Sequence, residues 1–274
     1  MIGPSLVVFL EECVSDVYSL KSNVEVMLAD GYKVVVRSFE RSGGHALNTQ
    51  DSSLVTVSGG VFRAAAIDGV TPTARTRHAF DVDGAIWAAG VARTILLGSS
   101  DSLETTAKRI NSALHDTSIR NSRDQRQVTL AAAEVSAGVN SADQFSRTVG
   151  FLRAADCTAW AKRDGTWQEV FPGDAQVPET VTAVDNWCKA HEEDMFGEPR
   201  YAMEEEVSGR PENWVTAALG RFPKAKLQQA RLTRVSEFVL ASDGARLSPE
   251  DPSAAVNDES PLSGLDCTVI HVSL

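Results

Sequence analysis

The run Val61-Phe-Arg-Ala-Ala-Ala-Ile67 is apolar and strand-like, and it ends abruptly on Asp68-Gly69. A second run, Phe238-Val-Leu-Ala-Ser242, ends in the same way on Asp243-Gly244. Side chains alternate along a strand, so period 2 places Asp68 on a face with Phe62, Ala64 and Ala66. It places Asp243 with Val239 and Ala241. Both faces read as buried, where a lone carboxylate is costly unless it meets a cation or several donors. A chain carrying two such ends is expected to bring them together at one polar site. Asp-Gly occurs three more times. Asp30-Gly31 and Asp164-Gly165 lie between strand signals and read as turns, and Asp83-Gly84 falls near a helix start.

The remaining pattern predicts a layered α+β domain. Tyr32–Phe39, Ser52–Val57 and Val61–Ile67 read as strands, the last two joined as a hairpin through Ser58-Gly59-Gly60. Phe80, Trp87, Val91 and Ile95 share a helical face that ends near Gly98. Asp101-Ser-Leu-Glu104 reads as a capping box opening a second helix on Leu103, Ala107, Ile110 and Leu114. The Arg-rich stretch 116–127 reads as a loop. Strands resume at Val128–Val135, Thr148–Ala154, Thr158–Lys162 and Trp167–Phe171, the last two joined by a tight turn at Asp164-Gly165. A third helix is predicted on Val181, Val184, Cys188, His191 and Met195, and a short fourth over Asn213–Leu219, closed by Gly220. Strands at Lys226–Thr233, Glu237–Ser242 and Thr268–Leu274 complete the set. Val7–Leu10 and Val24–Leu28 fit strand or helix equally. Without a linker or repeat, residues 1–274 are expected to form one domain. Residues 1–31 form an extension of undetermined role, an added edge strand or a pairing element. The order of elements suggests a four-layer αββα sandwich, two antiparallel sheets flanked by helices.

Composition narrows the function classes. The formal net charge of −11 argues against nucleic-acid binding, which needs clustered Lys and Arg. Cys13, Cys157, Cys188 and Cys267 are scattered without metal-ligand spacing, as expected of reduced thiols in the cytoplasm. The apolar run Pro4–Leu10 is short and lacks a basic leader, so neither a signal peptide nor a membrane partner is expected. The carboxylates favour hard divalent ions with oxygen ligands, and a glycine after the aspartate lets backbone come close to an ion. Two ions roughly 4 Å apart can share a water and lower its pKa.

Six segments in order resemble the PPM (PP2C-type) metal-dependent protein phosphatases. Asn48-Thr-Gln-Asp51 followed by Ser-Ser-Leu-Val resembles the family's N-Q-D-S-x-x-V. Val61–Gly69 resembles the strand leading into its metal-binding Asp-Gly, and Ala154-Ala-Asp156-Cys-Thr its G-D-S-R/C segment. Val215–Gly220 resembles the helix before the last strands, Phe238–Gly244 the F-x-L-x-S-D-G, and Leu265-Asp266-Cys-Thr-Val-Ile the terminal D-D/N-x-T-V. The resemblance implies an αββα fold and hydrolysis of phosphoserine or phosphothreonine in protein substrates, with two Mn²⁺ or Mg²⁺ ions. It implies that Asp68 bridges both ions, with the Gly69 carbonyl on one, and that Asp243 and a terminal aspartate hold the second. Asp51 would orient the attacking water, and Asp156 would match a carboxylate of a weaker third ion.

The chain departs from the pattern at several points. Ala46, beside His45, stands where the family has its phosphate-binding arginine, leaving Arg41, Arg75 and Arg77 as candidates. Pro72 stiffens the turn after Asp68. Alignment on Thr268 places Leu265 at the metal-binding position and Asp266 one residue on. Either a bulge brings Asp266 in or a ligand is lost. Leu247 replaces another third-metal aspartate, so a tight third ion is not expected. The alternative is a phosphatase-like regulatory or phosphoprotein-binding module without turnover; a third is that the aspartates merely cap turns.

Overall fold

The chain alternates short β-branched and alanine-rich runs with glycine turns, and it folds into two stacked antiparallel sheets. The computed structural model describes residues 19–28, 33–41, 51–58, 61–70, 82–120, 126–136, 148–190, 210–257 and 266–274. The strands are β1 (Ser19–Met27), β2 (Lys33–Arg41), β3 (Asp51–Ser58), β4 (Val61–Gly69), β5 (Val128–Ser136), β6 (Thr148–Ala154), β7 (Thr158–Arg163), β8 (Thr166–Glu169), β9 (Gln228–Thr233), β10 (Val235–Ala241) and β11 (Cys267–Ser273). One sheet has the order β1-β2-β11-β10-β7-β8 and the other β3-β4-β5-β6-β9. All neighbours pair antiparallel. The stretch Val24–Leu28, which fits helix or strand by pattern, is resolved as edge strand β1 and the residue after it; Val7–Leu10 lies outside the described residues.

Alternation sorts the core into layers. Val34, Val36, Phe62, Ala64, Ala66, Ala131, Ala133, Phe151, Phe238, Leu240 and Ile270 fill the space between the sheets. The opposite faces of β4, β5 and β6 (Ala65, Ile67, Leu130, Ala132, Leu152) meet helices α1 (Val82–Gly98) and α2 (Leu103–Arg120). On the outer face of the six-stranded sheet, Phe39, Val239, Ala241, Cys267 and Val269 are covered by Ala255 and Val256 of the short 3₁₀ helix Pro252–Val256. Asp164 and Gly165, at φ 49° and 81°, form the two-residue turn between β7 and β8. Helix α3 spans Pro178–Ala190; His191 and Met195 lie outside the described residues.

Four local expectations are corrected. The buried stripe of α1 is Ala85, Ala88, Ala89, Ala92 and Leu96, while Trp87 of the predicted stripe is 39% exposed. Small residues face the sheet because helix and strands come close: a Cβ on Gly69 would lie 2.5 Å from the Ala85 carbonyl oxygen. The cap of α2 is Ser102, whose Oγ accepts from the Thr105 amide at 3.3 Å. Asp101 instead pairs with Arg109 at 3.0 Å. Helix α2 runs to Arg120, into the stretch expected as loop. The fourth helix is absent: only Pro211–Asn213 makes a 3₁₀ turn, and Val215–Leu219 runs as a connecting segment. Its backbone bonds go elsewhere, Val215 to Ala175 and Leu219 to Val128, which leaves none for a helical ladder. Among the described residues no helix is long and apolar enough to cross a membrane.

Candidate metal centre

At one end of the sandwich the hydrophobic filling gives way to carboxylates. Asp51 and Asp68 are direct cross-strand partners on β3 and β4, and parity turns both toward the opposing sheet. Asp51 is buried and Asp68 half-buried. Burial raises the pKa of Asp51 first, and the charge of Asp68 and then of Asp266 raises it further. Burial likewise lifts Asp68, to about 6. The hydrogen bond with Asp51 opposes this, while the charges of Asp243 and Asp156 reinforce it. Burial and neighbouring charge thus raise both carboxyls of the pair.

Neutral donors fix these two side chains. Ser242 Oγ, buried at the end of β10, donates to Asp51 Oδ2 at 2.5 Å and accepts from the Thr268 amide at 2.9 Å. One hydroxyl thus joins the two sheets at the acidic end. Glu40, buried on β2, repeats the link where its Oε1 accepts the Ser53 amide of β3 at 2.6 Å. Thr129, opposite Asp68 on β5, donates to Asp68 Oδ2 at 3.3 Å and lies 3.0 Å from the Cys157 thiol. Burial, with the charges of Asp68 and Asp156, pushes that thiol's pKa well up, so it stays protonated.

The other expected ligands take different positions. Strand β10 ends at Ala241, so period 2 does not carry through to Asp243. Val239 and Ala241 pack on the outer face, whereas Asp243 lies exposed in the turn after Ser242. Its carboxyl is still raised, by neighbouring protein atoms and then by Asp156. The open surface of its residue and this desolvation describe one rim-like position. Asp156 is exposed beyond β6. Asp266 immediately precedes β11, whose pairing with β2 and β10 runs without a bulge. Its charge acts on Asp51.

Gly69 has a packing role beside any part in ion binding, since its Cβ position is filled by α1. Arg41 ends β2; Arg75 and Arg77, like Ala46, Pro72 and Leu265, lie outside the described residues. Ser242, Thr129 and Glu40 went unread in the sequence. Thr129 had a signal, a lone hydroxyl on the face of Ala131 and Ala133 directly across from Asp68.

Among the described residues no three acidic, imidazole or thiol groups close on a single point as a ready-made cage. The chemistry of the donors nevertheless fits a hard divalent cation. They are carboxylate oxygens that burial and one another's charge act on, and Thr268 Oγ1 is buried without a hydrogen-bond partner among the described residues.

Neither a protein-family model nor a curated protein sequence matches the chain. Solved structures do. The serine/threonine phosphatase Stp1 from Staphylococcus aureus superposes with a TM-score of 0.55 at 13% identity, covering 92% of this chain and 97% of that one. RsbX in complex with magnesium gives 0.57 at 11%, over 93% and 100%. The S. agalactiae serine/threonine phosphatase gives 0.53 at 15%, over 94% and 100%. The chain, two antiparallel sheets with helices packed outside them, has the fold of the PP2C-type bacterial serine/threonine phosphatases.

Proposed function

We propose that this chain is a divergent protein serine/threonine phosphatase, acting as one domain in the cytoplasm on phosphorylated proteins and not on nucleic acid. The observation that carries the reading is the convergence of Asp51, Asp68, Asp156, Asp243 and Asp266 at one end of a phosphatase fold. Asp68, the Gly69 carbonyl, Asp243 and Asp266 would hold two Mn²⁺ or Mg²⁺ ions, with Asp156 beside them. When bound, such ions supply a lowered water pKa and neutralise the phosphoryl oxygens. Asp51, held by Ser242, would orient the attacking water. That water's oxygen forms the new bond to phosphorus. The serine or threonine oxygen leaves with the old bond pair and takes up a proton, giving the free hydroxyl and inorganic phosphate. Leu247 on the partly buried outer-face segment offers no carboxylate for a third ion.

The test is hydrolysis of a phosphoserine peptide with and without Mn²⁺. Metal-stimulated turnover is expected, and Asp68→Asn should lower it by at least about 100-fold. Turnover that ignores Mn²⁺, or survives the substitution, would sink the reading. The outward spread of Asp156 and Asp243 favours one competing reading, a phosphoprotein-binding module without turnover. Calorimetry separates the two, because a protein that binds no Mn²⁺ at millimolar concentration cannot run this chemistry.

A further inference from the structure

Beside the acidic cluster the chain carries a cationic and aromatic rim. Gly69 abuts Ala85 in the first turn of α1, and Trp87 follows two residues later. On the other side of Gly69, the Val70 amide donates to the Gln127 carbonyl at 3.0 Å, and Arg126 precedes Gln127. Arg126 closes the circuit, with its Cζ 4.3 Å from the centroid of the Trp87 ring. The stack is therefore tied from both sides to the strand end that presents Asp68. Arg126 stands three residues before Thr129, the cross-strand partner of Asp68, so the chain between them spans at most roughly 10 Å.

Two features mark this pair as more than a packing contact. Trp87 is 39% exposed, on a helix whose buried face is made of alanines. A guanidinium lying over an indole is held by its flat face, while its N–H donors radiate in its own plane toward carboxylates or phosphates. The positive charge also stands at most roughly 10 Å of chain from the partner of Asp68, at the edge of a site whose carboxylates would repel an acidic peptide.

Resting on the phosphatase reading above, we propose that the Arg126–Trp87 stack is a substrate-docking surface that selects phosphopeptides with an acidic residue about three positions from the phosphorylated one. An extended peptide advances about 3.3–3.6 Å per residue, so a phosphoserine seated at the carboxylates places its third neighbour over the stack. The carboxylate of that neighbour meets the guanidinium edge, and its chain crosses the indole.

The experiment compares two phosphoserine peptides, with Glu or Gln three positions away on either side, and reads the ratio of their kcat/KM values in Mn²⁺ buffer. The Glu peptide is expected to be favoured by about fivefold at low salt, with the preference shrinking as salt rises. Arg126→Ala should bring the ratio to about one; Arg126→Lys, which keeps the charge but not the planar stack, and Trp87→Ala should bring it partway. A ratio is read because a general loss of folding lowers both peptides equally. A wild-type ratio near one, or one indifferent to Arg126→Ala, overturns the proposal and leaves the phosphatase reading standing. Should no peptide turn over, fluorescence anisotropy of the same labelled peptides reads the ratio of Kd values instead. An Arg126-dependent preference there upholds the docking surface while turnover fails, and equal affinities overturn it.

Discussion

Two clusters of partly buried ionisable groups occupy opposite faces of β10 and β11, and they are built on opposite principles. On the outer face, Glu237 bonds Lys162 Nζ at 2.8 Å and His271 Nε2 at 2.9 Å. Lys162 lies 5.5 Å over the Trp167 ring, which packs edge-on to His271. Burial works against the charge of Glu237, yet its two partners together outweigh it and hold its pKa below the ordinary range. Between the sheets, Asp51 and Asp68 face each other with three further carboxylates in electrostatic reach, and both are raised. The balanced cluster spends charge on stability. The unbalanced one stores a demand for positive charge, which is what a cation site requires of a protein before the ion arrives.

The sharpest way to break this contrast is to supply or remove charge at the inner cluster. At about 100 times its dissociation constant, Mn²⁺ should stabilise the wild type by about 2.7 kcal/mol, or roughly 5–10 °C in Tm. Asp68→Asn should lose most of that shift. Without metal the same variant should melt above wild type near neutral pH, by on the order of 2 kcal/mol. The sign follows from linkage: the folded pKa of Asp68, about 6, exceeds the ordinary 3.8. The folded state therefore binds more protons over that window, stability falls as pH rises through it, and the penalty is complete above it. The difference between variant and wild type should close as pH falls toward 4. Differential scanning fluorimetry across pH, with chelator or Mn²⁺, reads all of this. A metal-free Asp68→Asn that melts below wild type at pH 7.5 would refute the stored repulsion.

The inward placement of Asp68 was legible in the sequence, because β4 keeps its alternation to the last residue. Asp243 was misplaced by the same rule, since β10 stops two residues earlier and parity has no meaning in a turn. Asp266 was undecidable from one chain: a slip and a continuous register predict opposite faces, and the residue stands just before Cys267, where the pairing of β11 with β2 begins. The predicted helix at Asn213–Leu219 failed because apolar spacing cannot reveal that the backbone groups of Leu219 are claimed by Val128 and that of Val215 by Ala175. Gly220 was rightly singled out, though for another reason. Its φ of 93° and the Arg126 carbonyl 2.5 Å from a would-be Cβ require glycine there without any helix to end.

Glycine substitutions separate packing at the site from charge at the site. Gly69→Ala drives a methyl into the Ala85 backbone and should cost about 2 kcal/mol by denaturant unfolding, with or without Mn²⁺. Gly150→Ala, on β6 where the nearest atom is the Glu134 carbonyl at 3.9 Å, should fall within about 0.5 kcal/mol of wild type. If Gly69→Ala were neutral, α1 would not press on the strand end, and the glycine would be there for the ion alone.

The smallest effect belongs to the balanced cluster. Glu237→Gln keeps the shape and one acceptor oxygen but removes the charge that both Lys162 and His271 meet. The groups are only partly buried, so the cost should be about 1 kcal/mol at pH 7. Here pH acts in the opposite direction to the inner cluster. Glu237 has a depressed pKa, so its contribution is present above the ordinary 4.5 and is lost as pH falls below it. His271, whose pKa burial lowers against the pull of Glu237, favours the neutral ring, so the fold loses further stability as pH drops below the ordinary 6.5. Acid should therefore relieve the carboxylates between the sheets while loosening the outer face. The gap between wild type and Glu237→Gln should narrow below pH 4.5, where the gap for Asp68→Asn has also begun to close from the other side. Urea melts of the two variants in parallel test the pairing: destabilisation of both at neutral pH would mean the clusters are not opposite in kind.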